Sequence, residues 1–397
     1  MKLRLAVLAT HPIQYHVPIW RILAQQLDLD VHVYYASGFS TSGYFDTNFR
    51  VTVKWDIPLT YGYSHTFLSK TAQVQDGRGF FGLRTNRLRQ ELQRFAPHVA
   101  LLNAYTPFFW WESLWILRSL RVSAILRAET TDVTKRRHPL KKMARDLFLY
   151  LFYRQIDQFL AIGQNSRNHY LAHGIPASRI GWSPYCVNTP FFAEQADMYL
   201  PQRSALRQEF GFLPDQTVFI YSGKLYDHKD PLIIPQAIED MSEGERQKIG
   251  LVVLGDGVLR AEMEQRCRAL LGDRAVFTGF VNQSQLGRYY ALSDCLILPS
   301  LSETWGLVVN EAFQFGLPAV VSSGVGCAPD LVVEGETGMI FPTGDARRLR
   351  HCLSRIQELL HLKRDEMNQK CRERVANYSL ALASQGLQQA VFTFDQK

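Results

Sequence analysis

Short β-rich runs recur along this chain at helix-sized intervals, and that alternation constrains its fold more than any other feature. In the first half Leu3 to Ala9, Val31 to Tyr35, Val99 to Leu102, Ala124 to Leu126 and Phe159 to Ile162 read as strands, separated by amphipathic stretches such as Phe81 to Phe95. Strand, helix, strand in this order builds a parallel sheet covered on both faces. Between Val187 and Phe210, Asn188-Thr189-Pro190 and the Leu200-Pro201 step interrupt the pattern. It restarts with Val218 to Tyr221, Leu251 to Leu254, Ala275 to Phe277, Cys295 to Leu298 and Ala319 to Val321. The expected organisation is an α/β protein of two doubly wound domains facing a cleft, residues 1–195 and 196–375, with a helical segment 376–397 packing back on the first. Ligands of such sheets bind beyond the carboxyl ends of the strands, so the loops after Leu8, Leu102, Leu126, Tyr221, Leu254, Phe277 and Leu298 are the places to look.

Composition agrees with two soluble domains: 397 residues, 46% apolar and 20% charged. No run approaches the ~20 apolar residues of a membrane helix. The nearest, Leu147 to Tyr153, is bounded by Asp146 and Arg154, and burial inside the domain is expected for it. Met1 to Thr10 reads as a first buried strand. Six scattered cysteines contain no Cys-x-x-Cys pair, which suits a reducing cytoplasm and argues against a disulfide scaffold or a zinc site. Charge is uneven. Residues 1–195 carry 23 Lys+Arg against 12 Asp+Glu, whereas the remainder carries 21 against 25, so the first half should meet an anionic partner.

Chemistry concentrates at three strand ends of the second half. Ser222-Gly223-Lys224-Leu225-Tyr226-Asp227-His228-Lys229 sets two lysines five residues apart around a turn, which suits a diphosphate or is a solvated charged turn. Gly255-Asp256-Gly257 and Thr278-Gly279-Phe280 bring bare backbone to the same rim, where a planar base could lie. In Leu298 to Ala312 a polar loop holding Glu303 runs into a helix opening near Gly306 and Leu307, whose free amides would face a phosphate. Glu311 sits between Val308-Val309 and Ala312-Phe313. An unpaired carboxylate there would be costly, which points to a ligand partner rather than a surface charge.

This region resembles the family 4 glycosyltransferases, a retaining family of GT-B architecture with two Rossmann-like domains around a nucleotide-sugar cleft. Glu303 and Glu311 match its Glu-x7-Glu signature, and Gly223-Lys224-Leu225 with Lys229 matches its diphosphate turn, with lysine where arginine is common. Gly316 to Ser322, Gly326 to Val332 and Glu334 to Gly338 continue the pattern in order. The resemblance implies that Lys224 and Lys229 bind the donor diphosphate, Glu311 the ribose, Glu303 the transferred sugar and the amides near Gly306 and Leu307 the phosphate, with the base near Gly255 and Phe280. It also implies transfer without a metal or other cofactor, the nucleotide-sugar being a substrate and a UDP-sugar the favoured one.

The first half departs from the family: His11-Pro12-Ile13-Gln14-Tyr15-His16 stands where many members have a glycine pair. His11, at a strand's carboxyl end, either faces the cleft or satisfies local backbone groups, and Glu129 follows another strand. Both are acceptor-side candidates that assist rather than act as established bases. Asp28-Leu29-Asp30 has the form of a metal-binding Asp-x-Asp but sits at the opposite end of the sheet and reads as a solvated turn. The aromatic block Asn103 to Trp111 could stack on a sugar, touch lipid or start a core helix. Lys135, Arg136, Arg137, Lys141, Lys142 and Arg145 form a run free of acids that suits an anionic membrane surface. Nucleic acid is discounted for want of a recognition module. The combined expectation is a hexosyltransferase-type enzyme, cytoplasmic or peripheral at the inner membrane face, acting on a lipid-linked or polysaccharide-precursor acceptor. The alternatives are a sugar-nucleotide epimerase of the same architecture and a non-catalytic sugar-nucleotide-binding protein.

Overall fold

A computed structural model describes residues 2–46, 51–69, 80–83, 85–132 and 138–394. The chain divides into two compact units. One comprises Met1–Tyr44, Val53–Tyr185 and the segment from Leu380 on, and the other Phe45–Thr52 and Cys186–Ser379.

The strands, in chain order, are β1 (Leu3–Ala9), β2 (Leu29–Tyr35), β3 (Tyr44–Asp46), β4 (Val51–Val53), β5 (Ser64–Phe67), β6 (Val99–Leu102), β7 (Ser123–Leu126), β8 (Gln158–Ala161) and β9 (Ile180–Trp182). Among the described residues the first unit rests on a parallel sheet in the order β5-β2-β1-β6-β7-β8-β9. Crossover helices cover both faces, so β1, β6 and β7 are wholly apolar over their central residues and almost fully buried. Apolar burial of this kind supplies most of the driving force for a layered α/β unit, at roughly 25 cal/mol per Å².

The second unit repeats the scheme with β10 (Thr217–Ser222), β11 (Ile249–Leu254), β12 (Ala275–Gly279), β13 (Cys295–Leu298), β14 (Ala319–Ser322) and β15 (Gly338–Phe341), ordered β12-β11-β10-β13-β14-β15. Beneath it, the buried Asp294 carboxylate takes ion pairs from Arg203 at 2.5 Å, Arg207 at 2.9 Å and Arg364, and also accepts the Val218 amide at 2.7 Å. Buried charge persists only when paired in this way. The knot fixes the amino ends of β10 and β13, leaving their carboxyl ends to carry loops.

Three expectations need correction. The break expected at 195–196 falls inside a helix, Thr189–Tyr199, whose Gln195 accepts the Gly287 amide at 2.7 Å and donates to the Gln283 carbonyl at 3.0 Å. Those bonds hold the helix to the second unit, so the division lies between Tyr185 and Cys186. The stretch Phe81 to Phe95 is helical only over Leu88–Phe95, because Phe80 packs edge-on and Phe81 tilted against Phe108 and the Phe80 carbonyl accepts from the Phe108 amide. The run Leu147 to Tyr153 belongs to a helix, Pro139–Tyr153, that buries Leu149, Phe152 and Tyr153 but exposes Leu147, Tyr150 and Leu151, since one packed face of a helix turns the remaining positions outward. Among the described residues no helix is long and apolar enough to cross a membrane.

The last helix, Leu380–Phe392, packs on β8, β9 and the helix Val17–Ala24. Ser183 donates to the Ala383 carbonyl at 2.8 Å, and a Cβ at Gly386 would stand 1.9 Å from the Trp182 carbonyl oxygen. Gly386→Ala should therefore destabilise the first unit by about 1–3 kcal/mol through overpacking, lowering its melting temperature by about 2–4 °C per kcal/mol. Gly244→Ala, in open space at the start of a short helix of the second unit, should leave that unit's melting temperature unchanged or raise it slightly. Thermal denaturation of both variants checks this; equal melting temperatures would show that the last helix does not need its close approach.

Candidate functional site

The turn after β10 is held largely by backbone, with the Tyr221 hydroxyl donating to the Lys224 carbonyl at 2.8 Å. The Gly223 amide donates to the Leu254 carbonyl, the Leu225 amide to that of Asp256, and the Gly255 amide to that of Gly279, all within 2.9 Å. Gly255 and Gly257 make this possible: both have positive φ, and a Cβ would stand 1.8 Å from the Gly223 oxygen and 2.3 Å from the Leu225 oxygen. Their bare faces are thus spent on the neighbouring turn. At Gly255 the neighbouring turn occupies the side where a Cβ would stand. Phe280, half-buried after β12, stays on the same rim.

The stitched turn places two cations. Lys224 pairs with Asp46 at 2.8 Å and Lys229 pairs with Glu303. Glu303 is itself fixed, since its amide donates to Gly324, its carbonyl accepts from Gly326, and the adjoining Leu301 amide binds the His228 carbonyl at 2.9 Å. Burial, and after it the Lys224 cation, pull the Lys229 ammonium down to about 8. Glu303 and Lys229, far apart in sequence, therefore meet in space, and an anion entering here competes with Glu303 for the ammonium. Asp46 was not foreseen, because nothing in a residue 178 positions away signals its contact with Lys224.

The helix Leu307–Gln314 opens beside this pair. Gly306 caps it at φ +104°, where a Cβ would meet Leu298 and Val325 at 3.0 and 3.1 Å. The opening amides, Leu307 first, have no carbonyl within their own helix. Glu311 is fully buried in this helix, but its carboxylate accepts a hydrogen bond from Tyr290 at 2.7 Å. The premise of an unpaired carboxylate is corrected, since Glu311 has an internal partner that the sequence alone did not reveal; its match to the Glu-x7-Glu signature stands apart from that premise.

In the first unit, His11 touches the Thr10 hydroxyl at 3.0 Å and packs on Phe39, and burial lowers its imidazole to about 4, so it is neutral. Glu129 is exposed and accepts from the buried Tyr185 hydroxyl. It shares the lining of a cavity of about 260 Å³ with Thr10, His16, Asn103, Tyr105 and Trp110, at the carboxyl ends of β1, β6 and β7. His16 and Asn103 belong to the two loop segments quoted from the sequence, but neither is a site candidate there; the cavity is what brings them together. The aromatic block divides: Phe109 is core, Trp110 is buried but reaches the cavity wall, and residues 103–106 line the cavity.

Of the basic run, Lys135, Arg136 and Arg137 lie outside the described residues. Lys141 and Lys142 are exposed, whereas Arg145 is committed to Asp132 at 2.6 Å and is corrected from a surface contact to an internal ion pair. Asp132 also meets His169 at 2.7 Å, with His173 nearby, a trio of metal-ligand type. Arg145 already supplies the cation there, and His169 spends its other nitrogen on Tyr153 at 2.8 Å. The trio is a hydrogen-bonded brace between helices.

Residues 202–378 match the family described as Glycosyl transferases group 1. A sulfoquinovosyl transferase of Arabidopsis thaliana is 31% identical over 43% of this chain and 32% of its own length. A D-inositol 3-phosphate glycosyltransferase of Mycobacteroides abscessus is 30% identical over 48% of this chain and 43% of its own. The chain thus spans less than half the length of either relative. Among solved structures, sucrose-phosphate synthase from Thermosynechococcus elongatus superposes with a TM-score of 0.70 at 18% identity over all of both chains. An Anabaena protein in complex with UDP-glucose does so at 0.66 and 13%, again over all of both chains. These likenesses share the fold.

The Lys229 shift has a measurable consequence. A diphosphate needs the ammonium form, so its affinity should fall as pH rises through about 8 and beyond, the decline displaced upward because a bound anion raises the lysine's pKa. Lys229→Arg, charged throughout, should flatten the profile. Calorimetric titration of a nucleoside diphosphate across this range checks it; identical profiles for the two proteins would show that Lys229 does not face the ligand.

Proposed function

We propose that this chain, a protein of GT-B architecture whose second unit belongs to the group 1 glycosyl transferases, transfers a sugar with retention from a nucleotide-sugar to a lipid-linked or polysaccharide-precursor acceptor. The observation that carries the reading is the half-buried Lys229–Glu303 pair beside Lys224 and the open helix start at Leu307, within the family-matched residues. Two cations and free amides suit the charge that develops on a departing diphosphate. Lys224, Lys229 and the Gly306–Leu307 amides grip the diphosphate, Glu303 lies against the transferred sugar, Glu311 steadies the ribose, and Phe280 borders the base.

In the transfer, the acceptor hydroxyl oxygen forms the new bond to the anomeric carbon while the bond from that carbon to the diphosphate oxygen breaks. The electron pair leaves with the diphosphate, whose oxygen takes the acceptor's proton on the same face. No side chain need serve as base, and His11 and Glu129 orient the acceptor. The lysines and amides supply the stabilisation a metal ion would otherwise give. A UDP-sugar is the donor the UDP-glucose complex of the Anabaena protein favours.

Thermal denaturation with UDP-, GDP- and ADP-sugars, in excess chelator throughout, tests this. A UDP-sugar should raise the melting temperature, and Lys229→Ala should abolish the rise. No shift with any donor would contradict the reading, and a shift seen only with added magnesium or manganese would contradict metal independence. Product analysis separates transfer from the alternatives, since an epimerase alters the donor without an acceptor and a binding protein turns over nothing.

The acceptor class rests on the helix Pro139–Tyr153. Leu140, Met143, Leu147, Tyr150 and Leu151 are 48–66% exposed, at spacings that form one stripe, with Lys141 and Lys142 beside them. An apolar stripe flanked by cations suits the inner, anionic face of a membrane. The six cysteines are buried free thiols, in keeping with a cytoplasmic protein. Wild type should sediment with anionic vesicles at low salt and be released by high salt. Lys141→Glu with Lys142→Glu should abolish sedimentation while leaving nucleotide binding intact. Wild type that stays in the supernatant at low salt would instead point to a soluble acceptor.

A further inference from the structure

The cavity of the first unit carries an inference about which acceptor it takes. Its floor is Ala9, Ile13, Ala104 and Ala128, and its polar lining is Thr10, His16, Asn103, Tyr105, Thr106 and Glu129. The Asn103 amide is the exceptional group: its nitrogen and its oxygen are both shielded from solvent and neither has a hydrogen-bond partner. An amide left so loses about 1–3 kcal/mol for each unsatisfied group, which a ligand that both donates and accepts restores. A hydroxyl does both.

The charges along the wall define the ligand further. His16 is pulled down to about 3, first by burial, then by Arg127 and by His11, so it is a neutral imidazole at physiological pH. Arg127 is not part of the lining; its guanidinium donates to Ser183 and to the Pro184 carbonyl. Glu129 is the one charged group of the lining among the described residues, and an ionised carboxylate only accepts hydrogen bonds. Such a wall welcomes hydroxyls and repels phosphate or carboxylate. At about 260 Å³ the space lies below the ~300–1,000 Å³ of pockets for drug-sized ligands and holds a single ring.

We infer that this cavity receives one unphosphorylated polyhydroxyl ring, a sugar or cyclitol unit of the acceptor, and that Asn103 is the residue that recognises it. The inference rests on the transferase reading and narrows its acceptor. It sets this chain apart from relatives named for a phosphorylated cyclitol.

Ligand-observed saturation-transfer NMR on the full chain, with and without UDP, tests it using methyl hexosides and myo-inositol against glucose 6-phosphate and inositol phosphate. Neutral rings should give saturation transfer, and the phosphorylated probes should bind at least about ten-fold more weakly. Asn103→Leu, close in shape but without polar atoms, should abolish the neutral-ring signal while keeping the UDP response of the second unit. Glu129→Gln, which removes the repulsion without removing the side chain, should narrow the gap between the two probe classes, and it keeps the test decisive if Asn103→Leu does not fold. Phosphorylated probes that bind as well as neutral ones, or neutral binding unchanged in Asn103→Leu, would overturn the inference. A chain that binds UDP-sugar but no neutral ring refutes this acceptor alone, whereas one that binds no nucleotide-sugar refutes the transferase reading beneath it.

Discussion

The candidate donor site depends on one close approach: the main chain of 254–257 lying against that of 223–225 with no side chain between. A Cβ at Gly255 would fall 1.8 Å from a carbonyl oxygen, so only glycine permits the contact. The hydrogen bonds across it, from Gly223 to Leu254 and from Leu225 to Asp256, fix the turn that carries Lys224 and lead into the one that carries Lys229. A similar economy sets Glu303: a Cβ at Gly326 would stand 2.1 Å from the Thr304 oxygen, so the 324–326 turn presses flat on the loop and orients the carboxylate toward Lys229. Rigid backbone thus positions a half-buried cation that would otherwise be costly to hold in place.

The alternation of strands and helices was legible because period and punctuation are local properties. β1, β6 and β13 run over the expected residues, and most of the other central strands differ only at their ends. Contacts between segments distant in sequence were not legible. Gln195 reaching the backbone at 283 and 287 moves the domain division, and Tyr290 gives Glu311 the partner for which a ligand had been invoked. The glycines were recognised as sites of close approach, but sequence could not say whether a ligand or another turn would do the approaching. Likewise, Arg145 joined a run of cations in sequence but is withdrawn from it in space by Asp132.

The two units divide the chemistry by charge. The second presents cations and open amides at its strand ends, fit for an anion. The cavity of the first, although that half is rich in lysine and arginine, is lined by neutral groups and one carboxylate. Arg127 explains part of this contrast, since its guanidinium is spent on the backbone at 183–184, beneath the Tyr185 that binds Glu129. Two exposed lysines, Lys141 and Lys142, lie instead on the helix Pro139–Tyr153, beside its apolar stripe.

A crystal structure with a nucleoside diphosphate bound is the most direct test of how the donor is held. The diphosphate oxygens should contact the Lys229 ammonium, with Glu303 displaced from it, and should lie before the Leu307 amide with Lys224 turned away from Asp46. A diphosphate bound elsewhere, or one bridged to the protein by a metal ion while Lys229 remains on Glu303, would contradict it.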